Sequence, residues 1–300
     1  QALLPKGAMI LRNDWGTAPG IHLKTASGRH IFLMPGVPRE MKGLLGERII
    51  PYLRENFQTG RVIRVKSLHA FGIPESTVGE RIKPQMQAGC NPNVGTRVGG
   101  GIVTVRLVGT GATEEETLEA LKPCIEKVRE ALREGLFGED EQTLAGTTVQ
   151  ALLNQKKTVA IAESCTAGLV AALLTEVSGS SAAFLEGAIV YSNEAKMRTC
   201  GVKAETLAAH GAVSAQTAQE LAVGIRLRAG ADFGISVTGI AGPTGGTAAK
   251  PVGLVYFGVA TPAGVTAVEK NYPGMDRQMV RERAAAQAVD LLRRAVFNKV

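Results

Sequence analysis

Ser164 lies in Glu163-Ser164-Cys165-Thr166-Ala167-Gly168, directly after the apolar run Val159-Ala160-Ile161-Ala162 and at the start of a helical pattern. A strand that turns sharply into a helix through small hydroxyl residues presents a nucleophile. The helix start supplies free N–H groups and partial positive charge. A hydroxyl there also serves as an ordinary helix cap. A second turn, Tyr191-Ser192-Asn193-Glu194-Ala195-Lys196, follows a strand that begins at Phe184. If the two strands are parallel neighbours, both turns lie at the carboxyl edge of the sheet, where ligands of open α/β sheets bind. Tyr191 and Lys196 then converge on Ser164. A lysine beside a serine acts as its base once burial lowers its pKa. A tyrosine relays a proton or donates to a developing oxyanion. Outside such a pocket, Lys196 is a solvated helix-face lysine.

A third segment, Thr238-Gly239-Ile240-Ala241-Gly242-Pro243-Thr244-Gly245-Gly246-Thr247, follows another strand. Its glycines let backbone approach an anion and aim successive N–H groups at it; a flexible hinge is the plainer reading. The spacing matches neither the dinucleotide GxGxxG nor the phosphate loop GxxxxGK[ST]. Lys250, in Lys250-Pro251-Val252-Gly253, can add a cation to this loop. Arg277, Arg281 and Arg283 open the last helical pattern, where cations oppose the helix dipole, so an anionic ligand or pairing with Asp276 and Glu282 is expected. The combination predicts acyl transfer on a small phosphorylated substrate. Whether Ser164 becomes acylated or orients a water stays open. Cys165 is intrinsically the better nucleophile, yet a small buried residue behind the turn is the expected role. His210 is expected to be a loop histidine ahead of a Ser214 cap, with a base as the alternative.

These groups need a scaffold. Residues 1–60 show loop chemistry at Asn13–Gly20, a strand at Ile31–Met34 and a helix from Arg39 to Asn56, entered through Pro35-Gly36-Val37-Pro38. Residues 61–138 predict a small α+β domain. It has strands at Val62–Leu68 and Ile102–Val108, a helix at Ser76–Gln87 with Ser76 as N-cap, and a helix at Thr113–Leu132 with Thr113 and Glu116 as a capping box. Gly135–Gln142 reads as a polar connector. Residues 139–300 alternate helices and strands: helices at Thr143–Gln155, Thr166–Val177, Ala204–Ala209, Ser214–Arg228 and Asp276–Phe297, and strands at Thr158–Ala162, Phe184–Tyr191, Phe233–Val237, Gly253–Ala260 and Val265–Asn271. The pattern predicts a three-layer α/β/α sandwich whose last three strands need not all be parallel.

The chain has 300 residues, 45% hydrophobic and 20% charged, which suits two or three globular domains. No apolar stretch approaches the roughly 18 residues of a membrane span, and no secretory signal pattern opens the chain; a cytoplasmic location is expected. The chain begins at Gln1 and is expected to be a piece of a longer protein. Four cysteines form no CxxC pair, so zinc and redox motifs are not expected. Residues 1–110 hold 15 Lys and Arg against 6 Asp and Glu, a balance of +9 within a net charge of +7. Such a surface attracts polyanions or is merely solvated, and 4% aromatic residues give little stacking for single strands.

The segments around Ser164, Tyr191–Lys196, Gly211-Ala212-Val213-Ser214 and Thr238–Pro243, together with Lys250–Gly253 and Arg277, resemble the C-terminal domain of the competence/damage-inducible CinA family. The resemblance implies a nicotinamide mononucleotide deamidase, a hydrolase of pyridine nucleotide salvage and NAD recycling that releases nicotinic acid mononucleotide and ammonia. It implies Ser164, Tyr191, Lys196 and Arg277 as the catalytic set. Thr166, Gly239, Ala241, Gly242, Gly245, Gly246 and Lys250 are the implied substrate and phosphate contacts, and no cofactor is implied for the deamidase. Residues 1–60 look like the end of a molybdopterin-binding-like domain, and residues 61–138 look like the family's KH-like linking domain. The divalent metal and ADP-ribose pyrophosphatase activity associated with the first domain cannot be assigned to this chain. A homodimer is expected. Nucleotide or DNA binding in a competence or damage response is the alternative function, weakened by the lack of a basic Gly-x-x-Gly clamp.

Overall fold

The structure is a computed structural model that describes residues 4–57 and 60–298; the outermost bounds expected for the first and last domains, residues 1–3 and 299–300, lie outside the described residues. Two compact units are present. The first, Gln1–Val62 with Gly111–Thr113, carries an antiparallel sheet of β1 (Met9–Leu11), β2 (Gly20–Lys24) and β3 (His30–Leu33). Helices α1 (Pro38–Leu44) and α2 (Ile50–Asn56) follow, joined through one π-helical turn at Leu45–Ile49, so the helix expected over Arg39–Asn56 is a single run with a bulge. The Asn13 side chain orders the loop that carries Trp15: it donates to Ala18 O at 2.7 Å and to Glu40 at 2.6 Å, and accepts from Trp15 N at 3.0 Å.

The second unit, Ile63–Thr110 with Glu114–Val300, opens with a small α+β domain. Its elements are β4 (Val62–Phe71), α3 (Glu75–Ile82), β5 (Asn93–Gly99), β6 (Ile102–Gly111), α4 (Glu114–Leu132) and β7 (Leu136–Glu139), with sheet order β5-β6-β4-β7. Leu68, Val94, Val103, Val105 and Leu107 face the helices and pack on Val78, Ile82, Leu121, Val128 and Leu132. Two expectations change here. Ser76 is not the cap of α3, because Pro74 holds the N-cap position with extended backbone and Ser76 falls inside the first turn. The Gly135–Gln142 segment is not merely a connector, since it contributes β7, whose Glu139 bridges to Lys66 of β4 at 2.6 Å and to Arg129 of α4 at 2.7 Å.

The remainder is a three-layer α/β/α sandwich. Chain order gives α5 (Leu144–Asn154), β8 (Val159–Glu163), α6 (Leu169–Thr175), β9 (Phe184–Ile189), α7 (Asn193–Cys200), α8 (Ala204–His210) and α9 (Ala215–Ala229). β10 (Phe233–Gly239), β11 (Leu254–Thr261), β12 (Gly264–Asn271) and α10 (Arg277–Val296) complete it. The sheet runs β12-β11-β10-β8-β9, with β9 and β10 parallel to β8 while β11 and β12 are antiparallel. Strand alternation sends Val159 and Ile161 of β8 into one core with Leu152, Leu174, Ala288 and Leu292 from α5, α6 and α10. Ala160 and Ala162 point the other way, against Leu221 and Ile225 of α9. Each fully buried aliphatic side chain of this kind contributes about 1.5–3 kcal/mol. In register, Glu163 lies opposite Ile189 of β9 and Val237 of β10. Three chain turns therefore leave the sheet at one edge, and all three candidate segments follow them.

Candidate active site

The turn after β8 is held from inside. Glu163, 1% exposed, accepts from the amides of Gly168 at 2.9 Å, Val170 at 3.1 Å and Ala171 at 2.9 Å. Its carboxylate therefore caps α6 and meets the positive end of the helix. This corrects two readings. The helix starts at Leu169 rather than Thr166, because Ala167 (φ 50°) and Gly168 (φ 97°) take the left-handed conformation first. The amides at its start serve Glu163 and are not free for a ligand. Left-handed backbone at a non-glycine residue costs on the order of 1 kcal/mol, which the carboxylate bonds offset. Ser164 N donates to Val237 O at 2.9 Å, and the residue is 8% exposed, so the hydroxyl sits at the rim of the sheet edge.

Lys196 comes from α7, whose N-cap Ser192 accepts from Ala195 N at 3.1 Å. The side chain is 1% exposed. Its Nζ lies 3.3 Å from Ser164 Oγ, 2.9 Å from Val190 O and 3.0 Å from Tyr191 O. The two carbonyls can only accept. A neutral amine gives them its two N–H bonds and turns its lone pair toward the serine hydroxyl. Burial holds the Lys196 ammonium below the ordinary lysine value, because no carboxylate pairs with it among the described residues. Burial pushes the Cys165 thiol the other way, up to about 11, and the side chain packs in the core. A thiol of that kind stays protonated near neutrality and is a poor nucleophile.

Tyr191 is half-exposed at the mouth of this pocket, and its hydroxyl accepts from Arg277 Nη2 at 3.3 Å. The other guanidinium nitrogen of Arg277 donates to Gly242 O at 2.8 Å, which ties α10 to the glycine loop. Asp276 caps α10 through Met279 N at 2.8 Å and offsets the arginine at the helix start. Sequence reasoning missed Glu163 altogether; an acid just before a helix start was the available signal. Arg281 was noticed only as one of three arginines. It donates from Nε to Cys165 O and from Nη2 to Thr166 O, each at 3.1 Å. In a trans peptide the carbonyl and the following N–H point in opposite directions. Arg281 therefore turns the Thr166 and Ala167 amides away from itself, and neither has an acceptor among the described residues. The Thr166 hydroxyl is buried without a partner among the described residues, so its side chain points into the protein rather than into open space.

Other candidates lie elsewhere. Lys250 Nζ donates to His210 O at 2.6 Å and Val213 O at 2.7 Å, which pins the α8–α9 connection to the glycine loop. Two of its three N–H donors are used in this way, and the charge stays beside the loop. The glycines also have packing roles: a Cβ on Gly239 would press on Val255 and Leu254 O, and Gly242 has φ +79° against Val252. Ala241 is buried, whereas Gly245 and Gly246 are exposed on the loop. Arg283 leaves the cluster, donating to Gly100 O at 3.3 Å and stacking over Phe71 at 4.7 Å. His210 is exposed at the end of α8, and Ser214 caps α9. Among the described residues no group of three or more His, Cys, Asp or Glu side chains is placed to hold a metal ion, and no helix is long and apolar enough to cross a membrane.

Comparison with known proteins gives the family. The CinA C-terminal domain family matches residues 141–296, and the damage-inducible protein CinA KH domain family matches residues 65–138. A CinA-like protein of Kosmotoga olearia is 43% identical over 300 residues, covering 100% of this chain and 72% of the relative. A CinA-like protein of Synechococcus elongatus is 40% identical over 299 residues, covering 99% of this chain and 71% of the relative. The crystal structure of the competence/damage inducible protein CihA from Agrobacterium tumefaciens is 42% identical, with a TM-score of 0.50 over 51% of this chain and 93% of its own. A competence-damaged protein (CinA) superfamily structure from Klebsiella pneumoniae is 34% identical, with a TM-score of 0.50 over 52% and 96%. With its KH domain, its α/β/α sandwich and relatives alike over nearly its whole length, the chain belongs to the CinA family.

Proposed function

We propose that this chain is an amidohydrolase that converts nicotinamide mononucleotide and water to nicotinic acid mononucleotide and ammonia. The observation that carries the reading is the buried Lys196 amine, gripped by two carbonyls and turned on Ser164 Oγ at 3.3 Å. Distances of this length tighten when substrate enters. In the proposed reaction the neutral amine takes the Ser164 proton as Oγ bonds to the carboxamide carbon. The exposed Ala167 amide receives the resulting oxyanion. The Lys196 ammonium then protonates the nitrogen, the C–N bond breaks, and ammonia leaves from the acyl-serine. Water, deprotonated by the same amine, adds to the ester carbonyl; the Ser164–acyl bond breaks and the proton returns to Oγ.

The pocket chemistry supports the substrate class. Tyr191 and Arg277 at the mouth, with the adjacent exposed glycines, suit an anionic mononucleotide rather than a free amide. The test is ammonia release from nicotinamide mononucleotide. Wild-type protein should turn over, and Ser164→Ala protein should not. Full activity in Ser164→Ala protein overturns the nucleophile assignment, and an inactive wild-type chain overturns the reaction.

A further inference from the structure

The four-stranded sheet is covered by helices on one side, and on the other only the part around Phe71, Ile102 and Phe137 packs on the sandwich core. α3 and α4 cover the face bearing Val94, Val103, Val105 and Leu107. On the opposite face, β5 contributes Gly95, Arg97 and Gly99, paired with Arg106, Thr104 and Ile102 of β6. This face floors an open cavity of about 630 Å³, walled on one side by the chain between Asp140 and Leu144. It shares no residue with the Ser164 pocket.

Four features give the cavity a chemistry. Arg97 and Arg106 sit at diagonal positions on neighbouring strands, about 7–8 Å apart at the backbone, and neither has an ion-pair partner among the described residues. Two unpaired cations so close repel each other, and an anion between them removes the repulsion. The glycines leave the floor bare, since a Cβ at Gly95 or Gly99 would meet nothing within 4 Å. Beside them His69 forms a fixed flat wall. One ring nitrogen is 2.7 Å from Asp140 O, the other is 2.9 Å from Thr104 Oγ1, and the ring stacks on Phe137. The far rim carries hydroxyl-binding groups. Asp140 is already occupied by Lys66 and Ser67 N, whereas the Glu141 carboxylate is exposed.

We propose that this face binds a small phosphorylated sugar, its phosphate bridging Arg97 and Arg106 and its hydroxyls turned to the Glu141 rim. The site gives the basic first third of the chain a specific use. It stands independently of the deamidase reading, because its ligand undergoes no reaction there.

Calorimetry on the intact chain with ribose 5-phosphate at low ionic strength tests it. One equivalent should bind. Arg97→Ala and Arg106→Ala should each weaken binding about tenfold or more, as loss of a charge-assisted contact implies, and the double variant should abolish it. Gly95→Glu, which has room for its side chain, should do the same by placing a carboxylate between the arginines. The same variants should release ammonia from nicotinamide mononucleotide at the wild-type rate. Four results overturn the proposal: no binding by the wild type; equal binding by the double variant; displacement of the sugar phosphate by nicotinamide mononucleotide with the arginine variants unaffected, which assigns it to the Ser164 pocket; or inorganic phosphate or single-stranded DNA binding through Arg97 and Arg106 at least as tightly as ribose 5-phosphate.

Discussion

Lys196 and Lys250 occupy two regions of the sandwich and begin from the same grip, each donating to two backbone carbonyls. What separates them is the third partner. Lys196 is fully buried and has a serine hydroxyl 3.3 Å away, whereas Lys250 has two carbonyls and a turn to staple. A carbonyl pair fixes the direction of an amine; only a neighbour with a proton to give turns that direction into reactivity. The same contrast holds between the two loops. The Ser164 turn is strained and pinned by Glu163 and Arg281, and the Gly239–Gly246 loop spends much of its glycine content on close packing.

The strongest test of this contrast exchanges both lysines for methionine. Lys196→Met should lower kcat by roughly 10²–10⁴, the usual worth of a positioned acid–base group. Lys250→Met should change kcat by less than about threefold and lower stability by about 1 kcal/mol, read as a shift in Tm. Equal losses of activity would erase the distinction. Arg281→Ala should lower kcat by roughly ten- to a hundredfold with KM little changed, because it acts on donors that matter most in the transition state; a change confined to KM would make Arg281 a substrate contact instead.

The acid–base behaviour sharpens the comparison further. If neutral Lys196 is the base, kcat/KM rises with pH on a limb whose midpoint lies below the ordinary lysine value of 10.5, about tenfold per pH unit under the midpoint. Lys250→Met should leave that limb in place. The linked stability has the same sign: between the lowered native pKa and 10.5 the unfolded chain binds the extra proton, so stability rises with pH across that window. Cys165 works in the opposite sense. Its thiol is held near 11 in the native protein, so its contribution to stability is lost as pH rises from 9.0 toward that value. Glu163→Gln keeps the shape of the cap but loses its charge, and should cost about 2 kcal/mol in denaturant unfolding. The smallest effect belongs to Cys165→Ala, with kcat retained within about threefold; a dead but folded variant would move the nucleophile to the thiol.

Much of the sandwich was legible because the run Val159–Ala162 is apolar throughout and leads within four residues to Ser164 and Thr166, so both its burial and its turn are local signals. The convergence of Ser164 with Lys196 followed from assuming parallel strands, and the register of β8 and β9 supplies that. What stayed hidden depended on distant partners. β7 looks polar because Glu139 is an acid, and it becomes a strand by pairing with β4, where Lys66 lies far back along the chain. β5 contains Gly95 and Gly99 and sits at a sheet edge, where local propensity says little. Arg281 and Lys250 could not be told apart from ordinary surface cations, because their acceptors are carbonyls that no side-chain pattern announces.

α10 follows every strand of the sheet in the chain, yet its first two turns carry the arginines that set the Ser164 turn and brace Tyr191. The same helix buries Val280, Ala284, Ala288 and Leu292 against Val159 and Ile161 of β8, so one face of the sheet is without its cover until it is made. A nascent polypeptide on the ribosome therefore lacks the bonds that hold the Ser164 turn and Tyr191 until the final helix has docked.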